Sequence, residues 1–427
     1  MLLVVEKKTN MNKVLKKEFQ VKSVSLSGKN VEIVWQDNCQ SSFDVNWLQM
    51  STRSSKKFSA DSYEYTDCPI YNTFQEVAVD KVQLSNNKIL IDLGSGIEEI
   101  DASWLRAQDA TISYSLPAFE EKVQWSNSFS ILEHSYDEAI ESNQWISDLD
   151  KFGIVKIKGV SPDDLEEKLD KITKKVGVLR RRFHPTDINV IEPKPNNISL
   201  DKAYTGGTLE YHTDAPYYDL PPKIAFLACK KLEGEPPINY FCDGFKAASE
   251  LKETHKEAYN ILSTYLVNLA RRRLRSHQED SSIEHSLYSW DTHTLTNIIV
   301  TNGFGEPEII RIHSRSFSGF TSDYSGIQIK KFIEAYGSFI DLIKQDRFNV
   351  QMKLEPGNIV IIDNHRLVHA RSKIQGNTAR MIYSCYIDEY IWNSRLRFLL
   401  GERAEMDDVW LRGCTIDQLK ILANRWE

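Results

Sequence analysis

Residues 209–222 read LEYHTDAPYYDLPP and place His212 and Asp214 on either side of one threonine. In an extended segment, residues i and i+2 point to the same side of the chain. An imidazole and a carboxylate that converge on one point are two of the three ligands of a non-haem iron facial triad. Tyr211, Tyr217 and Tyr218 surround the pair, and Pro216 and Pro221–Pro222 follow it.

An H-x-[DE] pattern is weak by itself. Ten histidines and sixty acidic residues in 427 positions yield about one such pair by chance, and the chain has three. His255–Glu257 lies in ETHKEAYNILSTYL, a predicted helix in which positions i and i+2 diverge around the axis. His277–Glu279 lies in SHQEDSS, a polar loop without an apolar flank. Only His212–Asp214 sits among apolar and aromatic residues just before a strand. A hydrogen-bonded structural pair is the competing reading for it.

A third ligand comes from PGNIVIIDNHRLVHARSK, residues 356–373. An apolar strand, Ile359 to Ile362, leads to His365 and His369, and one of these two must be a surface or capping histidine. His369 stands 157 residues after His212 (369 − 212), as expected of ligands from early and late strands of one sheet. Arg380 then opens the strand ARMIYSCYI, and its planar fork suits a carboxylate.

The rest of the chain fits a large β domain. IAFLACKKL, INYFCDG, NIIVTN, EIIRIH, FNVQMKL, NIVIID and ARMIYSCYIDEY read as short strands bounded by turn residues. They predict a jelly roll, two antiparallel sheets that enclose a pocket. FKAASELKETHKEAYNILSTYLVNL and SGIQIKKFIEAYGSFIDLIKQ read as interrupting helices. SPDDLEEKLDKITKKVG reads as a helix capped by Ser161 with Pro162 in its first turn. Near the N-terminus, VEIVWQDNCQSSFDVNWLQ (31–49) and ILIDLGSGIEEIDASWLRA (89–107) repeat a strand, turn, strand and Trp-Leu pattern. The expected class is mainly β with helices: a double-stranded β-helix (jelly roll) catalytic domain with a small N-terminal β-rich domain. Expected bounds are 1–112 for the β-rich domain, 113–145 for a helical connector, 146–404 for the jelly roll and 405–427 for a C-terminal helix.

Net charge is −7, which argues against general binding to nucleic acid or anionic membranes. The opening MLLVVEKKTN has too short an apolar run for a signal peptide, and no later segment reaches membrane-span length. A cytoplasmic protein is expected, with organelle targeting left open. Cys39, Cys68, Cys229, Cys242, Cys385 and Cys414 are scattered without CxxC spacing, as in a reduced protein.

HTDAPYYDLPP, CDGF, PGNIVIIDNHRLVHAR and NSRLRFL together resemble the γ-butyrobetaine and trimethyllysine dioxygenases of the TauD/TfdA-like superfamily. The resemblance covers nearly the whole chain, including the N-terminal Trp-Leu domain. It implies an enzyme using Fe(II), 2-oxoglutarate and O2, with His212, Asp214 and His369 as metal ligands. Arg380 would hold the far carboxylate of 2-oxoglutarate, and Asn239 would stand near it. The oxoacid would become succinate while a substrate C–H bond is attacked, giving an alcohol or, beside an alkene, a ring.

The sequence departs from its relatives in two places. Their structural zinc uses a cysteine cluster after the first Trp-Leu and a histidine in the second copy. Here QMSTRSSKKFSA follows Trp47–Leu48 and Gly96 replaces the histidine, so no structural zinc is expected. The aromatic cage for a trimethylammonium group keeps Tyr204 and Tyr386, but its other positions fall on His184 and Ile188. Ordinary core packing is the competing reading of the two tyrosines. In LARRRLRSH, Arg271 and Arg273 share a face, and either could bind a substrate carboxylate unless the run is a solvated face.

The reading is therefore an iron/2-oxoglutarate oxygenase acting on a small carboxylate-bearing amine or amino-acid derivative, by hydroxylation or by ring closure of the kainic-acid type. A γ-butyrobetaine or trimethyllysine hydroxylase is the first alternative. A non-catalytic metal- and ligand-binding relative, and a jelly-roll hydrolase or isomerase without 2-oxoglutarate, are the others. A small-molecule substrate is the expected partner, with neither nucleic acid nor membrane, and a homodimer is compatible.

Overall fold

The computed structural model describes residues 20–52, 57–59, 64–66, 77–94, 96–109, 122–181, 187–192, 205–273, 290–302, 305–375 and 379–400. The chain forms two compact units, Met1–Phe119 with Gly401–Glu427, and Glu120–Leu400.

In the first unit, β1 (Val21–Ser27), β2 (Asn30–Trp35) and β3 (Gln40–Asp44) form an antiparallel meander that runs into helix α1 (Val45–Ser51). A small hairpin, β4 (Phe58–Ser59) with β5 (Glu64–Tyr65), lies in the polar stretch between the copies. Strands β6 (Val82–Ser85), β7 (Lys88–Asp92) and β8 (Ile97–Asp101) and helix α2 (Ala102–Gln108) then repeat the meander and helix. Both Trp-Leu pairs sit on the short helices. Asp44 starts α1 by accepting from the Asn46 and Trp47 amides, which satisfies donors that a helix start leaves open. Leu48 and Leu105 are buried, and Trp47 and Trp104 stack with ring centroids 5.7 Å apart, so each copy closes on the other. Gly96 has φ +85° in a turn whose Gly94 and Gly96 amides donate to Asp92 Oδ1. Of the cysteines near the repeat, Cys39 is exposed and free, and Cys68 lies outside the described residues.

The second unit begins with β9 (Leu132–Ser135), α3 (Tyr136–Glu141), α4 (Gln144–Phe152), β10 (Ile154–Lys158), α5 (Leu165–Val176), β11 (Asn189–Ile191), β12 (Leu209–His212), β13 (Ile224–Glu233) and β14 (Ile238–Asp243). After α6 (Gly244–Thr254) and α7 (Lys256–Thr264) come β15 (Val267–Arg273), β16 (Trp290–Thr296), β17 (Ile299–Thr301), β18 (Pro307–Ile310) and β19 (Phe317–Phe320). Helix α8 (Gly326–Ile343), strands β20 (Asn349–Lys353), β21 (Ile359–Asp363), β22 (Leu367–Arg371) and β23 (Ala379–Ile387), and helix α9 (Glu389–Leu400) complete the order. A six-stranded sheet runs β11-β23-β13-β21-β10-β9, and a four-stranded sheet runs β12-β22-β14-β20. Their inner faces share one apolar cluster that includes Phe241, Ile362, Leu367, Ile382 and Tyr386. The outer face of the larger sheet packs against α4 and α5 through Trp145, Leu149, Leu169 and Tyr383. The smaller sheet packs outward on α6, α7 and α8 through Cys242, Leu262, Phe339 and Val368. This is the jelly roll that the alternating strands predicted.

Three segments depart from the expected elements. The stretch predicted to be a helical connector runs without helix from Lys122 to Ile131 and then forms β9, which pairs in parallel with β10 at the edge of the larger sheet. Trp125 fixes it there: its amide donates to Asp243 Oδ2 and its indole N–H to the Phe152 carbonyl. The long helix expected from Phe245 breaks at His255, whose φ of −139° and ψ of 62° are not helical, and from Val267 the chain is strand. The predicted C-terminal helix, 405–427, lies outside the described residues.

CDGF also has a structural explanation. Asp243 caps α6 by accepting from the Phe245 and Lys246 amides, and it pairs with fully buried Arg366 at 2.7 Å. Arg366 also donates to the Lys151 and Val123 carbonyls, so this buried charge pair has the hydrogen bonds it needs. A Cβ on Gly244 would lie 2.6 Å from the Arg366 carbonyl oxygen, so only glycine fits.

Candidate active site

His212 ends β12 and pairs in register with His369 on β22. Between Leu209 and His212 the register slips; such a bulge re-aims a side chain, and here it leaves Tyr211 packing outward while His212 turns inward. The two imidazole rings lie 4.2 Å apart by centroid. Asp214 Oδ1 lies 3.5 Å from His212 Nε2 and 3.8 Å from His369 Nε2. Ligand atoms of all three residues fall within 4.8 Å of one another, and among the described residues they are the one group placed to hold a metal ion.

The surroundings hold each donor in place. His212 Nδ1 lies 2.8 Å from the Glu210 carbonyl; donating there leaves the Nε2 lone pair facing Asp214, as in a ligating histidine. Burial, with His212 adding to it, pushes the His369 imidazole down to about 3, so it stays neutral as a metal ligand must be. Burial alone would raise the Asp214 carboxyl. The neighbouring His212 and His369 imidazoles and the Tyr386 hydroxyl outweigh it and keep the group ionised. Asn364 clamps the Asp214 backbone, accepting from its amide at 2.6 Å and donating to its carbonyl at 3.0 Å. The next residue, Ala215, has φ +51°, a conformation that costs a non-glycine residue about 1 kcal/mol or more. Arg311 steadies the segment beyond with donations to the Pro216, Tyr218 and Asp219 carbonyls. Two nitrogens and one carboxylate oxygen on a buried inner face suit Fe(II).

A model of the family described as taurine catabolism dioxygenase TauD, TfdA family matches residues 121–386. The chain belongs to the TauD/TfdA family. Relatives include human gamma-butyrobetaine dioxygenase, 25% identical over 399 residues covering 90% of this chain and 98% of that protein. Mouse mitochondrial trimethyllysine dioxygenase is 20% identical, with 83% of this chain and 82% of that protein covered. The solved structure of the non-heme iron oxygenase OrfP with Fe and alpha-ketoglutaric acid aligns with 64% of this chain and 98% of its own, at TM-score 0.46 and 14% identity. As a TauD/TfdA-family member the protein is an Fe(II)- and 2-oxoglutarate-dependent dioxygenase that consumes O2. Among the described residues no helix is long and apolar enough to cross a membrane.

The other residues singled out in the sequence divide. On β23, Arg380 alternates in step with Ile382 and Tyr386, which belong to the inner cluster, so it faces the interior. Asn239, on β14, faces inward in step with Phe241 and lies opposite Arg371. Tyr386 is close to the metal-ligand group, but its hydroxyl donates to Asp214 Oδ2 at 2.9 Å. Ile188 is a correction: it packs on the helix-covered outer face with α4 and α5, away from the interior. Its neighbour Asn189, buried and opposite Ser384, shares the inner face of β23 instead. Tyr204 and His184 lie outside the described residues, as does the side chain of Arg273. Arg271 is half-buried and opposite Thr292, whose hydroxyl lies 3.5 Å from the Tyr217 carbonyl. Arg272, on the other side of that strand, is exposed and paired with Asp291, as on a solvated face. Of the two histidines after β21, His365 is fully buried rather than at the surface, with Nε2 2.9 Å from the Pro221 carbonyl.

Sequence reasoning missed His313. Its ring stands edge-on to His212 with centroids 5.8 Å apart, and its Nδ1 lies 2.9 Å from Ser316 Oγ. The neighbouring Ile312 accepts from the Thr213 amide and donates its own amide to the Thr213 hydroxyl, which ties this segment to the H-x-D pair. Lone histidines in polar runs such as RIHSRS carry no sequence signal for such a position.

The Tyr386 contact separates two roles. In Tyr386→Phe the aromatic face remains and the donation to Asp214 is lost. Divalent-metal affinity, titrated with Co(II), is expected to fall by about tenfold with an unchanged thermal midpoint. Unaltered affinity would mean that the ring alone matters.

Proposed function

We propose that His212, Asp214 and His369 hold the iron, that Arg380 anchors the far carboxylate of 2-oxoglutarate, and that the substrate is a small carboxylate-bearing amine or amino-acid derivative. Bound there, iron and 2-oxoglutarate supply the oxidation: O2 is consumed, the oxoacid becomes succinate and CO2, and a substrate C–H bond is oxidised to an alcohol or closed into a ring. The protein's part is to place that C–H bond, shield the site from water and keep the three donors fixed.

The observation that carries the substrate class is the position of His313 beside His212, on the segment tied to Thr213. Half-buried Arg271 lies opposite Thr292, whose hydroxyl approaches the Tyr217 carbonyl, and a carboxylate is the group that such basic side chains match. Tyr386 offers a ring, but its hydroxyl is engaged by a metal ligand. A cage for a quaternary ammonium needs several open faces. The alternative, hydroxylation of γ-butyrobetaine or trimethyllysine, is favoured by the names of the relatives.

Succinate release with iron, 2-oxoglutarate and ascorbate should be measured across amino acids, N-alkylated dicarboxylic amino acids and betaines. Stimulation above the uncoupled rate is expected from dicarboxylate amines. Clean hydroxylation of γ-butyrobetaine with no response to dicarboxylate amines would overturn the proposal.

A further inference from the structure

Arg371 follows the ligand histidine by two positions, and neither the family resemblance nor the metal chemistry gives it a role. Strand β22 alternates strictly. Leu367 belongs to the inner cluster, Val368 to the outer one, and His369 faces the metal-ligand group. Arg371 therefore points inward too, opposite Asn239. It is 3% exposed. Its Nη2 donates to the Thr205 and Gly207 carbonyls at 3.0 and 2.7 Å, which fixes the guanidinium plane. Its Nε and Nη1 are buried without a hydrogen-bond partner among the described residues.

Arg380 faces the same interior from the other sheet. Arg371 feels the charge of Arg380. No carboxylate of the described residues acts on either one. Two cations facing one interior, one of them buried with two unpartnered donors, are costly unless an anion joins them.

We propose that Arg371 is a second anchor of the co-substrate, donating through Nη1 to the same far carboxylate that Arg380 holds, with Asn239 beside it. The spacing supports this. Two residues along a strand span about 7 Å, so a five-carbon diacid chelated beside His369 would bring its second carboxylate to the level of Arg371. Because Nη2 holds Thr205 and Gly207, the same guanidinium ties the loop before β12 to co-substrate binding. The inference rests on the 2-oxoglutarate site proposed above.

The test uses the full chain loaded with Mn(II), titrated calorimetrically with 2-oxoglutarate and with 2-oxopentanoate, which lacks the far carboxylate. Arg371→Gln is expected to weaken 2-oxoglutarate by about 10- to 100-fold, leaving 2-oxopentanoate and Mn(II) affinity unchanged. Equal weakening of both oxoacids would reduce Arg371 to a loop clamp, and unchanged 2-oxoglutarate binding would remove it from the site; either overturns the proposal. If Arg371→Gln does not fold, Arg380→Ala serves instead. Residual preference for the diacid of about tenfold is expected from Arg371, and complete loss of preference refutes it. An Arg380→Ala protein that binds 2-oxoglutarate as the wild type does would instead sink the assignment of Arg380.

Discussion

Asp214→Ala is expected to abolish iron-dependent succinate formation, by about three orders of magnitude or more, while the protein stays folded. Loss of a partner behind a metal ligand typically costs 10- to 100-fold, and removal of one of three protein ligands must exceed that. Asp214 Oδ1 is the only oxygen donor in the group, and it sits between the Nε2 atoms of His212 and His369. Without it, two neighbouring imidazoles remain, and two nitrogens do not complete the donor set of a facial triad. The fold should survive because Asn364 grips the Asp214 amide and carbonyl, and alanine keeps both. Metal content by mass spectrometry, thermal midpoint and succinate yield separate the outcomes. Iron-dependent turnover at even a tenth of the wild-type rate, in a protein with the wild-type midpoint, would remove Asp214 from the metal centre and with it the reading of the H-x-D pair.

The legible parts of this protein were those where local chemistry and tertiary environment agree. IAFLACKKL and NIVIID are apolar enough to be strands on their own account, and both lie in the middle of the larger sheet. Ser161, Pro162 and the early acidic residues announce the short turn and helix that follow. Strand β22 was not legible, because two of its five buried residues, His369 and Arg371, are polar and face the interior. Polar residues pointing inward hide a strand from any reading by hydrophobic alternation, and here they do so because the interior is the site. The connector failed for a different reason. The Trp125 amide donates to Asp243, 118 residues further on, and no local signal reports such a partner. The same limit hid the Asn364 clamp and the contact of Tyr386 with Asp214. Each joins segments more than a hundred residues apart.

Arg380→Lys is expected to raise the 2-oxoglutarate concentration needed for half-maximal turnover by about 100-fold, with metal affinity unchanged. Lysine keeps the charge, so long-range attraction survives. It loses the planar fork, and a charge-assisted hydrogen bond is worth about 1.5–3 kcal/mol. Placement makes the loss selective: Arg380 lies at the start of β23, opposite Leu232, whereas Tyr386, which touches Asp214, lies six residues further along the same strand. About 20 Å of strand separates the two positions, so the substitution should not disturb the metal ligands. Burial adds a second penalty, because an ammonium sheds its water less readily than a guanidinium does, and the interior around Arg380 already depresses a cation. Titration of 2-oxoglutarate at saturating Fe(II), with parallel Co(II) binding, checks both halves. Collapse of metal affinity with an unchanged 2-oxoglutarate requirement would show that Arg380 supports the metal centre instead, and the co-substrate would then have to be anchored from the smaller sheet.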